Sequence, residues 1–202
     1  MEVLIQPKPQ PRDKRQCLRG TLLAVALVWS GAALGAEAQT RYLELHVEAA
    51  FLYNFAKFAE WPADTTALRS GPVTFCVLGS EPLHSALEES LAGKSINGRP
   101  LVSREIESPQ EALACQIVFI GWEDKKRVRE ALDALDRAAV LTVADSDSFA
   151  RRGGMIQLIR QGNKFRFAVN VDAVNRHGLR ISSKLLQLAE VVRDISPNGD
   201  HP

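Results

Sequence analysis

The sequence predicts a single three-layer α/β domain, in which a mostly parallel mixed sheet is flanked by helices and carries a C-terminal antiparallel hairpin. Near-continuous apolar runs of strand length occur at 73–78, 101–106, 116–120 and 139–143. Such runs are typical of strands buried on both faces of a sheet. Helical segments separate the runs, and this alternation favours parallel crossover connections.

The hairpin is the clearest local signal in the chain. Two apolar segments, 153–160 and 165–170, flank the turn sequence Gln161-Gly162-Asn163-Lys164. Gly and Asn tolerate the positive φ of a tight turn. We expect this hairpin to form an antiparallel edge of the sheet.

The remaining periodic segments predict the covering layers. Helices are expected at 41–60, 83–91, 109–113, 123–135 and 182–189. Ser182 precedes the last of these segments and is expected to cap it, because a serine side chain can accept from free backbone N–H groups.

The helix predicted at 41–60 has an unusually wide apolar arc. Its aromatic residues Phe51, Phe55 and Phe58 recur at steps of three and four, and Trp61-Pro62 ends it. A helix that covers one sheet needs an apolar arc of only about 100°. Deep burial within the domain explains the excess. The alternative is contact with a partner or a second copy, and it makes Phe51, Phe55, Phe58 and Trp61 the candidate contact residues.

Residues 1–38 are expected to form a secretory signal peptide. A basic segment, 12–19, precedes an apolar segment, 21–29, and small residues at Ala36 and Ala38 predict cleavage after Ala38. The apolar run is shorter than the ~20 residues of a spanning helix, although an uncleaved membrane anchor is the alternative. Residues 39–202 would then form the secreted α/β domain.

The charge balance argues against a nucleic-acid partner. The whole chain has a formal net charge of +1. Without residues 1–38 the chain keeps 20 basic and 21 acidic residues. No basic stripe is present, so nucleic-acid binding is not expected.

Two of the three cysteines lie in the predicted domain. Cys17 belongs to the predicted signal peptide, which leaves Cys76 and Cys115. An even count in an oxidising compartment favours a disulfide between them. Two buried free thiols are the alternative. A bond would require the first and third strands to be near neighbours.

A small-molecule pocket is a further hypothesis. Ligands of open α/β sheets lie outside the carboxyl ends of the parallel strands. Here those ends carry Gly79-Ser80, Gly121-Trp122 and Asp145. The alternative is that these residues form ordinary strand-to-helix loops.

Catalytic and metal-binding motifs do not fit. Gly93-Lys94-Ser95 lacks the preceding glycine of a P-loop, since position 88 is Glu88. Gly79-Ser80 is not a nucleophile elbow. The four histidines are scattered and no ligand spacing is present. We therefore expect no enzyme, no metal and no cofactor.

A set of motifs nevertheless spans almost the whole predicted domain. In chain order the motifs are Tyr53-Asn54-Phe55-Ala56-Lys57-Phe58, Glu60-Trp61-Pro62, Cys76-Val77-Leu78-Gly79, Cys115, Leu141-Thr142-Val143, Phe149, Gly153-Gly154-Met155-Ile156, Arg166-Phe167, Asn170 and Ile181-Ser182-Ser183-Lys184-Leu185-Leu186-Gln187-Leu188-Ala189. Their order and spacing together resemble the YfiR-like family of small secreted bacterial proteins. Gly153-Gly154 could equally serve a bulge or a close backbone approach, and Asn170 could cap the following helix.

The resemblance implies a periplasmic regulator of mixed α/β fold. In the best-understood case, the family member binds the periplasmic part of an inner-membrane diguanylate cyclase and holds it inactive. A disulfide's redox state and release of the repressor then set cyclic-di-GMP and biofilm formation. Members can also dimerise, so a homodimer is expected as well.

This chain departs from the family pattern in two places. It lacks the second cysteine pair that some members carry, and Ala168 stands where an acidic residue is frequent. Similar domains also occur beside histidine kinases. A small-molecule-binding periplasmic sensor acting with a sensor kinase is therefore the alternative function.

Overall fold

The computed structural model describes residues 15–62, 71–162 and 164–194, with side chains from residue 37 onward. The start of the predicted signal peptide, Asn163 of the predicted turn and residues 195–202 of the predicted domain lie outside the described residues. The chain comprises two compact units, 1–43 and 44–202. In the first unit, the described backbone is helical from Arg15 onward.

The helix predicted at 41–60 is longer at its start and shorter at its end. Helix α1 spans Arg15–Phe58. It begins early because the preceding segment is rich in Ala and Leu, which are strong helix formers. It ends at Phe58 because Ala59 and Glu60 pair antiparallel with Ile181 and Arg180. Cleavage after Ala38 stays a prediction. Within the described ranges, no helix has both the length and the apolar character to cross a membrane.

The other elements follow the predicted alternation of strands and helices. In chain order they are β1 (Ala59–Glu60), β2 (Val73–Leu78), α2 (Glu81–Leu91), β3 (Ser95–Ile96), β4 (Arg99–Ile106), a 3₁₀ helix (Pro109–Ala114), β5 (Ile117–Ile120), α3 (Lys125–Ala134), β6 (Leu141–Ala144), a second 3₁₀ helix (Ala150–Arg152), β7 (Ile156–Gln161), β8 (Lys164–Asn170), α4 (Val171–Arg176), β9 (Arg180–Ile181), α5 (Ser183–Leu186) and β10 (Glu190–Val192).

Eight of the described strands form the main sheet, in the order β10-β8-β7-β6-β5-β2-β4-β3. β2 pairs in parallel with both β4 and β5, and β6 pairs in parallel with β5 and β7. β7 and β8 form the antiparallel hairpin. The α/β fold with a mostly parallel sheet flanked by helices is thereby confirmed.

Side chains of the central strands alternate between two cores. Phe75 and Val77 of β2 face one cluster with α1 and α2, whereas Cys76 and Leu78 face a second cluster with α3. All six residues of β2 are buried. This burial on both faces explains the unbroken apolar runs.

Two expectations about the C-terminal region are wrong. The hairpin is not the edge of the sheet, because β10 pairs in parallel with β8 outside it. The last helix covers only Ser183–Leu186 rather than 182–189. After the helix ends, Leu188 is 76% exposed, and the extended segment that follows buries Val192 beside Ala150 and Ala168. The predicted cap is confirmed, since the Leu185 N–H donates to Ser182 Oγ at 3.4 Å.

Candidate functional site

An apolar groove lies between α1, the hairpin and the segment that enters β10. It has a volume of about 550 Å³ and is lined by Phe51, Ile159, Gln161, Phe165, Arg166, Phe167, Gln187, Leu188, Ala189 and Glu190. We call it the aromatic groove. It contains one predicted contact residue, Phe51, and five residues of the family motifs, namely Arg166, Phe167, Gln187, Leu188 and Ala189.

Three phenylalanines from distant parts of the chain form the wall of the aromatic groove. The ring centroid of Phe51 lies 6.1 Å from that of Phe165 and 5.9 Å from that of Phe167. Phe51 and Phe165 are half-buried, and Leu188 exposes 76% of its surface. Aromatic residues are enriched at the centre of protein contact surfaces.

The charged residues around the groove differ in their pairing. Arg160 Nη1 contacts Glu44 Oε2 at 2.6 Å and thereby ties β7 to the helix that supplies Phe51. Glu190 pairs with Arg151 at 3.5 Å. The side chain of Arg166 is exposed and has no hydrogen bond or ion pair within the described part of the chain. One guanidinium at the rim is therefore available to an acidic group.

The four predicted contact residues do not share one environment. Phe55 is completely buried, and its ring centroid lies 5.1 Å from that of Phe167. It therefore belongs to the core and offers no contact surface. Phe51, Phe58 and Trp61 are half-buried against the same core. The indole N–H of Trp61 is buried without a partner among the described residues.

The strand ends expected to form a pocket are filled by a side chain. The Gly121 N–H donates to the Leu78 carbonyl at 2.8 Å, which holds the two loops together. Gly79 has φ +81°, and a Cβ at this position would overlap the Trp122 indole. The guanidinium of Arg127 lies 3.9 Å from the centroid of that indole. The indole thus packs on the loop of β2 and is itself covered by a cation.

Asp145 lies in a separate depression. The depression has a volume of about 370 Å³ and is lined by Glu123, Lys125, Asp145, Ser146, Asp147 and Arg152. Of the five candidate pocket residues, Gly79, Ser80, Gly121 and Trp122 are not in this lining. The structure therefore does not gather the five residues around this depression.

The predicted disulfide is confirmed. Cys76 and Cys115 are bonded, with their Cα atoms 6.1 Å apart. Both residues are buried. The first and third predicted strands, β2 and β5, are direct neighbours as the bond requires.

Two of the motif positions have clear structural roles. Asn170 is fully buried, caps α4 by accepting from the Ala173 N–H at 2.9 Å, and donates to the Ala150 carbonyl at 2.6 Å. A Cβ on Gly154 would overlap the Phe149 ring. The predicted cap at Asn170 and the close backbone approach at Gly154 are therefore both observed.

The other motif residues are less constrained. Gly153 has φ +100° and ends the 3₁₀ helix Ala150–Arg152. Asn54 is exposed and donates to the Ala50 carbonyl at 2.8 Å. Lys184 is exposed and Pro62 is half-buried.

Within the described ranges, no three His, Cys, Asp or Glu side chains form a group that could hold a metal ion.

Sequence reasoning missed Phe165 and Leu188 as surface residues. The sequence pattern predicts only a strand around Phe165 and a helix around Leu188. The available signal was the position of Phe165 at the start of the returning strand, opposite the polar residue Arg160. Its partner Phe51 is more than a hundred residues away in the chain, and no local pattern joins them.

Among the solved structures to which this chain is similar are two of low sequence identity. A conserved domain protein from Vibrio cholerae O1 biovar El Tor is 14% identical, with a TM-score of 0.47, over 59% of this chain and 54% of its own. A Streptococcus pneumoniae structure described as the ABC domain in complex with L-Trp is 12% identical, with a TM-score of 0.42, over 58% of this chain and 54% of its own. This chain thus spans about half of each. Both TM-scores are below 0.5, and neither structure informs the function.

Family membership rests on a separate comparison. A family model described as YfiR/HmsC-like matches residues 45–190, which include β1 to β9, the disulfide and the aromatic groove. The match covers most of the chain and includes the motifs from Asn54 to Lys184. The chain therefore belongs to the YfiR/HmsC-like family.

Proposed function

We propose that this protein binds the periplasmic part of an inner-membrane signalling enzyme, a diguanylate cyclase, and holds that enzyme in its inactive state. The YfiR/HmsC-like family comprises periplasmic regulators of cyclic-di-GMP signalling rather than enzymes. The proposed outcome is a lower intracellular cyclic-di-GMP level and less biofilm.

The aromatic groove is the observation that carries this proposal. It joins Phe51 and Phe165 to the exposed Leu188 on a single surface of the domain. Protein interfaces have an apolar centre and a polar rim, and a few aromatic side chains buried at the centre supply most of the binding energy. Phe58 and Trp61, which are half-buried near the end of α1, extend the proposed contact surface.

Charge gives the proposed contact its orientation. Arg166 stands at the rim without an ion pair in the described part of the chain. An acidic group of the cyclase facing Arg166 would form a charge-assisted hydrogen bond. Such rim charges mainly affect association rate and specificity.

Inhibition requires different affinities for the two states of the cyclase. A regulator that binds the active and the inactive state equally well does not change their populations. Each tenfold preference for the inactive state corresponds to about 1.4 kcal/mol, so a modest difference in contact changes the cyclase population.

The test is the cyclic-di-GMP level in cells that lack this protein and in cells with it restored. We expect deletion to raise cyclic-di-GMP and the wild-type chain to reverse the rise. Leu188→Glu should fail to reverse it, because a carboxylate at the groove disrupts an apolar contact. Leu188 is largely exposed, so the variant should fold normally.

Leu113→Glu is the matched control. Leu113 is 51% exposed and lies on the 3₁₀ helix Pro109–Ala114, which packs with the cluster on the opposite face of the sheet. It should restore repression fully. If Leu188→Glu represses as well as wild type at equal abundance, the groove is not the contact surface. An unchanged cyclic-di-GMP level on deletion would contradict regulation of a cyclase.

A further inference from the structure

A third cavity borders α3, the helix that packs on the face of the sheet opposite α1. It has a volume of about 170 Å³ and collects charged side chains from three elements. Arg129 comes from α3, Arg152 ends the 3₁₀ helix Ala150–Arg152, and Arg176 ends α4. His177 also lines this space, which we call the arginine cavity.

Arg152 is the unusual residue of this cavity. Its Nη2 donates to the Asp147 carbonyl at 2.7 Å. Its Nε is buried and has no acceptor among the described residues. Buried polar groups in native proteins are almost always hydrogen-bonded, so an unpaired guanidinium N–H beside a cavity calls for an acceptor from outside the chain.

The neighbouring groups are held in place by other contacts. Arg176 Nη1 pairs with Asp194 Oδ2, and Asp194 Oδ1 also accepts from Asn170 at 2.8 Å. His177 Nδ1 lies 2.7 Å from the Ala173 carbonyl, so it carries the proton and donates. These contacts fix the wall before any ligand arrives, which lowers the entropic cost of binding.

The charge of the lining favours an anion. Two carboxylates, Asp133 and Asp136, share the cavity with the three guanidinium groups. Asp136 pairs with Arg137 at 3.7 Å. Because Asp194 pairs with Arg176, the charged side chains of this lining that have no ion pair among the described residues are Arg129, Arg152 and Asp133, with a net charge of +1. Arg152 also borders the depression that contains Glu123, Asp145 and Asp147.

We infer that the arginine cavity binds a small oxyanion, either a phosphate or a carboxylate, with Arg152 as its principal donor. The planar guanidinium fork matches both anions in bidentate geometry. A volume of about 170 Å³ equals roughly six water molecules at ~30 Å³ each. The space therefore admits a small ion but not a drug-sized ligand. This inference is independent of the cyclase contact.

The test is calorimetric titration of the purified full chain with inorganic phosphate and, separately, with succinate. We expect binding of at least one anion. Arg152→Gln should weaken it at least tenfold, and Arg152→Lys should weaken it less, because the charge remains while the fork is lost. Tighter binding of phosphate identifies a phosphate site, and tighter binding of succinate identifies a carboxylate site.

Arg151→Gln is the matched control, since Arg151 is the adjacent arginine and pairs with Glu190 outside the cavity lining. It should bind as wild type. If Arg152→Gln does not fold, as judged by circular dichroism, Arg129→Gln replaces it, because Arg129 is exposed on α3. Failure of both anions to bind wild type more tightly than about 1 mM, or equal losses in the Arg151 and Arg152 variants, would overturn the inference.

Discussion

The two faces of the central sheet are covered by different physical means. On one face, α1 and α2 pack large side chains such as Phe55 and Phe75 into a broad core, and the aromatic groove opens at its margin. On the other face, α3 covers a smaller cluster that includes the Cys76–Cys115 disulfide. The first face depends on side-chain volume, and the second adds a covalent link. The surface proposed for partner contact accordingly belongs to the face without that link.

The largest expected loss of stability comes from removing a large side chain from the core between the sheet and α1. Phe55→Ala should lower the free energy of unfolding by about 3–5 kcal/mol, because it deletes a fully buried ring and leaves a cavity. Phe51→Ala, one turn away and half-buried, should cost clearly less. Urea unfolding measures both. Equal losses would mean that Phe51 is as much a core residue as Phe55.

Removal of the disulfide tests the second face. Replacing Cys76 and Cys115 together by Ala should cost about 2–4 kcal/mol, because the bond closes a loop between residues 39 positions apart. Urea unfolding of the double variant should show this loss, and reduced wild type should match it. A double variant as stable as the oxidised protein would show that packing alone holds this face.

Substitutions at Gly153 and Gly154 should lower the free energy of unfolding by a smaller amount. Gly154→Ala should cost about 1–3 kcal/mol, because a methyl group would overlap the Phe149 ring in the second core. Gly153→Ala meets no neighbour and should cost only the roughly 1–2 kcal/mol of a positive φ. Thermal unfolding compares the two variants. A milder effect at Gly154 than at Gly153 would contradict the observed packing of Phe149.

The smallest effect is a pH dependence in the 3₁₀ helix Pro109–Ala114. The Ser108 hydroxyl and the Ser108 N–H donate to Glu111 Oε1 at 2.8 and 3.0 Å, and they lower the pKa of that carboxyl below its ordinary value of 4.5. A carboxyl group whose pKa is lower in the folded than in the unfolded protein stabilises the fold at pH values above its ordinary pKa. This stabilisation is lost as the pH falls through the folded-state pKa.

Glu111→Gln should therefore be slightly less stable than wild type at neutral pH and equal to it in acid. Urea midpoints from neutral to acid pH measure the difference. Glu107→Gln, which removes a neighbouring carboxylate, is the control. If the urea midpoints of Glu111→Gln and wild type differ by the same amount at every pH, the contact between Ser108 and Glu111 is not the cause of the stability difference.

Much of the fold followed from local pattern. The apolar runs at 73–78 and 116–120 became buried parallel strands because nothing but a two-sided sheet hides such segments from water. Asn170 and Ser182 cap their helices as their side-chain chemistry predicts. The hairpin pairs residues 156–161 with 164–169, on either side of the predicted turn.

The candidate sites were less accessible to such reasoning. Glycines at the ends of β2 and β5 suggested an open crevice, but Gly79 instead makes room for the Trp122 indole. Phe55 has the same helical spacing as Phe51 and Phe58, yet only the position of β8 determines which of these rings is buried.

The sequence by itself determined the fold class, the disulfide pair and the caps, because each depends on hydrophobic periodicity, cysteine count or side-chain donors close in the chain. The tertiary structure alone decided that β10 forms the edge, that Phe51 meets Phe165 and Leu188, and that Arg152 joins Arg129 and Arg176 beside one cavity. Those contacts join residues far apart in the chain. Their positions depend on how whole elements pack, which no local pattern encodes.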